Sequence, residues 1–126
     1  MNTEGAYCLV MGKFAQQILN GEAMTIRGDG EQRRDFTYVK DVVNANILAS
    51  TSKKVGNGEV INIGNGENRS VNEIAKLLGG ESTNVDAVLE PRNTLADNTK
   101  AKELLGWEPT MTVEEWIPEY KKQLGL

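Results

Sequence analysis

The sequence predicts an α/β fold in which a small sheet with parallel strands is flanked by about five helices. Three observations indicate this class. Apolar residues recur at helical spacing in several segments, short β-branched runs lie between them, and glycine-rich turns separate the two. Strands that alternate with helices are typical of parallel sheets, because a parallel connection needs a crossover. The 126 residues are enough for one domain with a core.

Five segments carry the periodicity of an amphipathic helix. Two begin at a capping box, in which a Ser or Thr and a Glu three residues later bond each other's backbone N–H groups; these boxes start at Ser70 and Thr112. Gly21, Gly79 and Gly106 are natural C-terminal stops. The expected helices cover residues 7–20, 39–52, 71–78, 99–105 and 112–124.

The second helix carries an apolar stripe on one face, with Val42 and Leu48 beside it. The stripe consists of Val39, Val43 and Ile47. Asp41 falls in the first turn, where a carboxylate meets the positive end of the helix dipole. Together with Asp29 and Asp35, it is better suited to turns and caps than to acid–base chemistry.

Short runs rich in β-branched residues predict the strands. Residues 23–27 form a strand that ends in the Gly28-Asp29-Gly30 turn, and residues 35–38 form another. Residues 59–63 are a compact apolar run, expected to be a central parallel strand because a helix follows it. Residues 84–90 are expected to be a third parallel strand.

Composition excludes several functions. The net charge of −4 argues against nucleic acid as the main partner. The absence of histidine removes Ser-His and Cys-His nucleophiles and histidine metal sites. No run approaches the ~20 apolar residues of a membrane span, and the N-terminus lacks the pattern of a signal peptide. The single Cys8, expected to be a small core residue, fits a reducing cytoplasm, where we expect the protein to reside.

The most informative chemistry lies in residues 27–41. Arg33 and Arg34 precede the extended run at residues 36–39. Neighbouring residues on a strand point to opposite faces, so one arginine can point over a pocket while the other is solvated. An arginine beside an aromatic ring suits a phosphate or carboxylate with a flat group nearby. That both arginines are ordinary surface charges is the alternative.

A second glycine-rich turn, Gly64-Asn65-Gly66, lies between a predicted strand and a helix, the setting of a dinucleotide fingerprint. The third glycine of G-x-G-x-x-G is Arg69 here, which prevents close packing of helix on strand. No acidic residue closes a second strand about 20 residues further on. We therefore expect a turn that lines some other ligand or has no ligand at all, rather than a cofactor site.

Four blocks of sequence occur in a familiar order: residues 28–43, 60–66, 70–74 and 100–109. Together they resemble the C-terminal segment of NAD-dependent nucleotide-sugar epimerases and dehydratases. This is the extended short-chain dehydrogenase/reductase (SDR) family, of which UDP-glucose 4-epimerase is typical. The resemblance implies that residues 1–126 are a single substrate-binding domain, the C-terminal part of an extended SDR without its Rossmann half, acting in carbohydrate metabolism.

The resemblance also implies roles for individual residues. Arg34 and Arg92 would hold the diphosphate of a nucleotide-sugar, and Phe36 would line the same cleft. The strand at residues 25–27 would support the uracil through backbone groups and a side chain, and Val71 would contact the nucleotide. The implied substrate-binding residues are Thr25, Ile26, Arg27, Arg34, Phe36, Val71 and Arg92.

The catalytic motifs of the family are not found in this sequence. The three tyrosines are followed four residues later by Met11, Val42 and Leu124, so there is no Tyr-x-x-x-Lys, and no three glycines have the G-x-x-G-x-x-G spacing. The resemblance thus implies NAD in the parent enzyme, an isomerase or lyase, but no cofactor, metal or catalytic residue in this segment.

We therefore expect a UDP-sugar-binding segment of an NAD-dependent epimerase/dehydratase that is inactive alone. The alternative is a stand-alone binding or interaction module that reuses this fold. Because parallel strands are normally buried on both faces, a lone segment leaves apolar surface uncovered. We expect it to self-associate, by exchange of the first helix or by pairing of sheet edges.

Overall fold

The computed structural model describes residues 9–126, which form five helices and four short strands. In chain order these are α1 Val10–Leu19, β1 Met24–Arg27, β2 Arg33–Asp35, α2 Val39–Thr51, β3 Asn68–Ser70, α3 Val71–Leu78, β4 Ser82–Val85, α4 Thr99–Leu105 and α5 Val113–Leu124. The predicted α/β class with five helices is confirmed. The predicted start of α1 at residue 7 is wrong, because Leu9 is extended and the helix begins at Val10; the expectation for Cys8 lies outside the described residues.

The strands form two small sheets. β1 and β4 pair in parallel, from Met24 opposite Ser82 to Arg27 opposite Val85, and β2 pairs with β3. β4 was predicted to continue to Glu90, which is wrong. The parallel register with β1 ends at Val85, where Gly28, with a φ of 59°, begins the turn and donates its N–H to the Val85 carbonyl at 2.9 Å.

Two further strand predictions were wrong. The strand predicted at residues 35–38 lies at Arg33–Asp35 instead, where the Arg33 N–H donates to the Arg92 carbonyl, 2.9 Å away. The strand predicted at residues 59–63 does not form. Side chains there alternate in burial, but neither sheet of the described residues supplies a backbone partner, and Lys100 Nζ donates to the Val60 carbonyl at 2.8 Å.

The chain divides into two compact units, and we describe each by itself. Unit 1 contains the residues up to Arg34, then residues 69–93 and 117–126, whereas unit 2 contains residues 35–68 and 94–116.

The core of unit 1 forms where α1, α3 and β1 pack on one another. Phe14, Met24 and Ile74 have at most 1% of their surface exposed. The capping box predicted at the start of α3 is confirmed, because Ser70 Oγ accepts the Glu73 N–H at 3.1 Å and Glu73 Oε2 accepts the Ser70 N–H at 2.7 Å. That backbone bond, followed by the positive charge of Arg33, lowers the pKa of Glu73.

The core of unit 2 is built around Trp107, which is fully buried with Ala45, Ala101 and Leu105. Its indole N–H donates to the Asp41 carbonyl at 2.8 Å. The Asp41 carboxylate accepts the N–H and the hydroxyl of Thr110 at 2.8 and 2.6 Å. These bonds tie the first turn of α2 to the segment after Trp107.

α2 turns its apolar stripe away from the core of unit 2. Its apolar stripe is solvent-exposed, with exposed fractions of 68% for Val39, 52% for Val43 and 58% for Ile47. The buried face instead carries Ala45, which meets Ala101 of α4. Small residues let two helices approach closely, and the bonds of Asp41 fix this face inward. Periodicity identifies an apolar stripe but does not show what covers it.

No helix in residues 9–126 is long and apolar enough to cross a membrane.

Candidate functional site

The Gly28–Gly30 turn of unit 1 supports the candidate site. Gly28 and Gly30 have φ angles of 59° and 75°, which favour glycine. A Cβ on Gly30 would collide with the side chains of Asn72 and Ile26. Asn72, in the first turn of α3, donates its backbone N–H to the Gly30 carbonyl at 3.0 Å and its side-chain amide to the Asp29 carbonyl at 2.9 Å. The turn is therefore fixed against α3.

Arg34 is held by a carboxylate. Its Nη2 lies 2.7 Å from Glu90 Oε2, and the two side chains are 23% and 32% exposed. Its Nη1 donates to the Arg33 carbonyl at 2.8 Å. The neighbouring Arg33 pairs with Glu73 at 3.1 Å. The two adjacent guanidinium groups thus contact carboxylates in different segments. This is expected of neighbouring residues in a strand, whose side chains point to opposite faces.

Arg92 is also paired, in a two-pronged arrangement. Its Nη1 and Nη2 lie 2.7 and 2.8 Å from the two carboxylate oxygens of Asp29. The hydrogen bonds from Arg92, and then the Glu31 N–H at 3.0 Å, lower the pKa of Asp29 from 3.8 to about 2. The same pairing raises the pKa of Arg92. Planar fork-on-fork pairing of this kind is how arginine also binds phosphate.

The other implied residues on β1 are held by glutamine side chains. Gln17 of α1 accepts the Thr25 N–H at 3.0 Å and donates to the Thr25 hydroxyl at 3.1 Å. Gln32 donates to the Arg27 carbonyl at 3.0 Å, and Arg27 Nη1 lies 3.4 Å from the Asp86 carbonyl. The Ile26 side chain is buried.

Six of the seven implied residues lie in unit 1: Thr25, Ile26, Arg27, Arg34, Val71 and Arg92. Phe36 belongs to unit 2. The Val71 side chain is buried, and its N–H donates to the Gln32 carbonyl at 3.1 Å. The β1 end, both diphosphate candidates and the start of α3 thus belong to one compact unit.

Asp35 organises the second glycine-rich turn, within unit 2. Its Oδ1 accepts the Asn65 N–H at 2.9 Å, and its Oδ2 accepts the N–H groups of Gly66 and Ala96 at 2.9 and 3.2 Å. A Cβ on Gly64 would collide with Ala96. The N–H groups that a phosphate would need at this turn therefore donate to Asp35. Asp29, Asp35 and Asp41 all accept backbone N–H groups, as predicted for turns and caps.

Gln32 and Glu90 are the site residues that sequence reasoning missed. Gln32 is only 6% exposed, but a glutamine in a polar stretch gives no sign of burial. Glu90 contacts Arg34 across 56 positions of sequence, so no local pattern relates them. Within residues 9–126, no group of three or more Cys, Asp or Glu side chains could hold a metal ion.

Comparison with known proteins places the chain in a family. The model of the GDP-mannose 4,6 dehydratase family matches residues 3–120. The chain belongs to this family. Its relatives are NAD-dependent extended SDR proteins, so the resemblance identified from the sequence blocks is confirmed.

Curated relatives include UDP-glucuronic acid decarboxylase 1 of Xenopus tropicalis, 38% identical over 115 residues, with 86% of this chain and 27% of the relative covered. UDP-N-acetyl-alpha-D-glucosaminuronate decarboxylase of Bacillus cytotoxicus is 34% identical over 129 residues, with 92% and 40% covered. The chain therefore spans less than half the length of these relatives.

Solved structures also match this chain over less than half of their own length. UDP-glucose 4-epimerase of Thermotoga maritima with UDP-glucose has a TM-score of 0.84 and 38% identity, covering 98% of this chain and 42% of that one. UDP-glucuronic acid 4-epimerase of Bacillus cereus, in complex with UDP-glucuronic acid and NAD, has a TM-score of 0.78 and 36% identity, covering 92% and 40%.

Proposed function

We propose that this chain is the UDP-sugar-binding segment of an NAD-dependent epimerase, dehydratase or decarboxylase and that it does not turn over substrate alone. One observation carries the proposal. Arg34 and Arg92, the two arginines assigned to the diphosphate, belong to the same compact unit as β1, and each is engaged by carboxylate oxygens. Diphosphate oxygens present guanidinium groups with the same charge and a similar geometry.

The proposed ligand chemistry follows from these groups. Arg34 and Arg92 would each make charge-assisted bonds to the diphosphate, about 1.5–3 kcal/mol apiece. Backbone groups of Thr25–Arg27 and the Arg27 side chain would support the base, because a guanidinium can stack on a flat ring. Buried Ile26 and Val71 would fix the position of that strand and of α3. Phe36, which belongs to unit 2, stays a prediction from the family resemblance.

We propose that NAD and the catalytic Tyr-Lys pair are supplied by polypeptide other than these 126 residues. The chain has no Tyr-x-x-x-Lys. At the Gly64-Asn65-Gly66 turn, Asn65 and Gly66 donate their N–H groups to Asp35. The residues present at this turn therefore do not fit a dinucleotide diphosphate. Isomerase and lyase chemistry both agree with the relatives, which are epimerases and decarboxylases. A cytoplasmic location is part of this proposal.

We also propose that the chain self-associates through the exposed stripe of α2 in unit 2, formed by Val39, Val43 and Ile47. Exposed apolar residues at this spacing are the pattern by which helices pair. Light scattering should show a concentration-dependent dimer that Val43→Lys abolishes and Asn46→Lys, at an exposed polar site of the same helix, preserves. A monomer at high concentration would contradict this. The same stripe is the feature that favours the alternative of an interaction module.

The binding proposal is tested by nuclear magnetic resonance (NMR) titration with UDP, uridine and NAD. Two arginine contacts of this strength predict a dissociation constant on the order of 1 mM. Amide shifts should move in β1, at Arg34 and near Arg92, and UDP should bind more tightly than uridine. Arg34→Ala and Arg92→Ala should each weaken UDP binding roughly tenfold or more.

Arg33→Ala is the matched control, because it removes the adjacent, equally charged arginine, which pairs with Glu73. It should leave UDP affinity within about twofold, since loss of a rim charge has little effect. Saturable NAD binding, turnover of UDP-glucose with NAD, or no shifts at about 10 mM UDP, tenfold above the predicted constant, would contradict the proposal.

A further inference from the structure

We propose that Glu90 and Gln32 position Arg34, and that Glu90 must release Arg34 when an anionic ligand binds. This inference rests on the proposed diphosphate role of Arg34. It assigns a positioning role to two residues that do not themselves contact the ligand. It also makes the affinity of the site for anions depend on a carboxylate contributed by the segment that follows β4.

The two oxygens of Glu90 have different donors. Oε2 accepts from Arg34 Nη2 at 2.7 Å, and Oε1 accepts from Gln32 Nε2 at 3.0 Å. Arg34 is further held by the bond from its Nη1 to the Arg33 carbonyl. The Arg34 guanidinium is therefore oriented by the Glu90 carboxylate, which is itself held by the neutral side chain of Gln32.

Gln32 is the fixed part of this arrangement. It is 6% exposed, its Nε2 also donates to the Arg27 carbonyl at 3.0 Å, and its own carbonyl accepts the Val71 N–H. The side-chain amide of Gln32 thus links Glu90 to the end of β1, and its backbone carbonyl bonds the start of α3. Moving it would leave buried polar groups without partners, which is costly.

Glu90 is the part that can move. Its side chain is about a third exposed, and its neighbour Leu89 is fully exposed. The segment can therefore shift without uncovering buried apolar surface. A two-pronged diphosphate contact uses N–H groups of both Nη1 and Nη2, which here donate to the Arg33 carbonyl and to Glu90, and the two anions repel each other, so the ligand competes with Glu90 for Arg34.

The decisive variant is Glu90→Gln. Its single amide oxygen can accept from Gln32 or from Arg34 but not from both, and in either orientation residue 90 loses the charge that holds Arg34 and repels a phosphate. We expect UDP and inorganic pyrophosphate to bind roughly two- to fivefold more tightly, the range that loss of a partly exposed ion pair implies. Uridine affinity should not change. In Glu90→Gln combined with Arg34→Ala, the gain should disappear.

A second readout needs no ligand. The Arg34 Nε–H signal should show restricted motion by NMR relaxation in the parent chain and averaging in Glu90→Gln. Asp86→Asn is the control, because it removes one negative charge from the same segment and should change neither readout. Unchanged Arg34 motion in Glu90→Gln, or a UDP affinity that does not rise in a chain that binds UDP, would overturn the inference. If UDP does not bind the parent chain, the proposed function is wrong. The difference in Arg34 motion between the parent chain and Glu90→Gln then still tests whether Glu90 positions Arg34.

Discussion

Replacing Asp35 by Asn should destabilise unit 2 although the shape of the side chain is kept. Both carboxylate oxygens accept backbone N–H groups, those of Asn65, Gly66 and Ala96, and Thr37 Oγ1 lies 3.2 Å from Oδ1. An amide offers only one acceptor. In the better orientation, its NH₂ group takes the place of Oδ1, where the Thr37 hydroxyl can turn to accept from it but the Asn65 N–H is left facing a donor.

The magnitude follows from this geometry. One unsatisfied donor costs about 1–3 kcal/mol, and the two remaining bonds lose the contribution of the negative charge, about 1 kcal/mol each. Because the site is only partly buried, we expect the lower part of the summed range, a loss of about 3–4 kcal/mol in the free energy of unfolding. Thr37→Val, which removes only the hydroxyl, should cost about 0.5–1.5 kcal/mol.

Urea unfolding followed by tryptophan fluorescence measures this loss, since both Trp107 and Trp116 lie in unit 2. With a slope of about 1–3 kcal/mol per molar urea, the midpoint should fall by about 1–4 M. A stability within about 0.5 kcal/mol of the parent, the usual effect of an exposed surface substitution, would show that Asp35 does not hold the turn.

Three further predictions concern single contacts. The Asp29 carboxyl should titrate near 2 by NMR. Its contribution to stability is present above the ordinary pKa of 3.8 and should be lost only as the pH falls through about 2. Arg92→Ala should move this pKa toward 3.8, and an unchanged pKa would contradict the pairing. Ser70→Ala should lower stability by about 1 kcal/mol, with loss of helix at α3 seen by circular dichroism, because it removes a cap; no change would contradict the capping box. Trp107→Ala should cost about 3–5 kcal/mol in urea unfolding, because it empties a fully buried site; a loss below about 1 kcal/mol, typical of surface positions, would mean that the core relies on other residues.

Local features were predictable from the sequence. Helix bounds, the boxes at Ser70 and Thr112, and the Gly28–Gly30 turn depend on residues within a few positions of one another. The structure places α2 to α5 within one residue of their predicted bounds, whereas α1 begins at Val10 rather than at residue 7. The box at Thr112 includes the bond from the Glu115 N–H to Thr112 Oγ1 at 3.3 Å.

Features that depend on distant partners could not be predicted. The face of α2 that packs on another element is one such feature, because spacing alone shows only that Val39, Val43 and Ile47 share a face. The run at residues 59–63 was assigned to a strand because its pattern suits one, whereas a strand also needs a neighbouring backbone. The contacts of Arg34 and Gln32 with Glu90 span 56 and 58 positions, so Arg34 was identified by its motif and its partner was not.

The affinity difference between UDP and uridine, measured in parallel for the parent chain, Arg34→Ala and Arg33→Ala, tests the central claim most directly. That difference isolates the contribution of the phosphates. We predict that it is present in the parent chain, kept in Arg33→Ala and lost in Arg34→Ala. An equal difference in all three proteins would contradict a diphosphate role for Arg34.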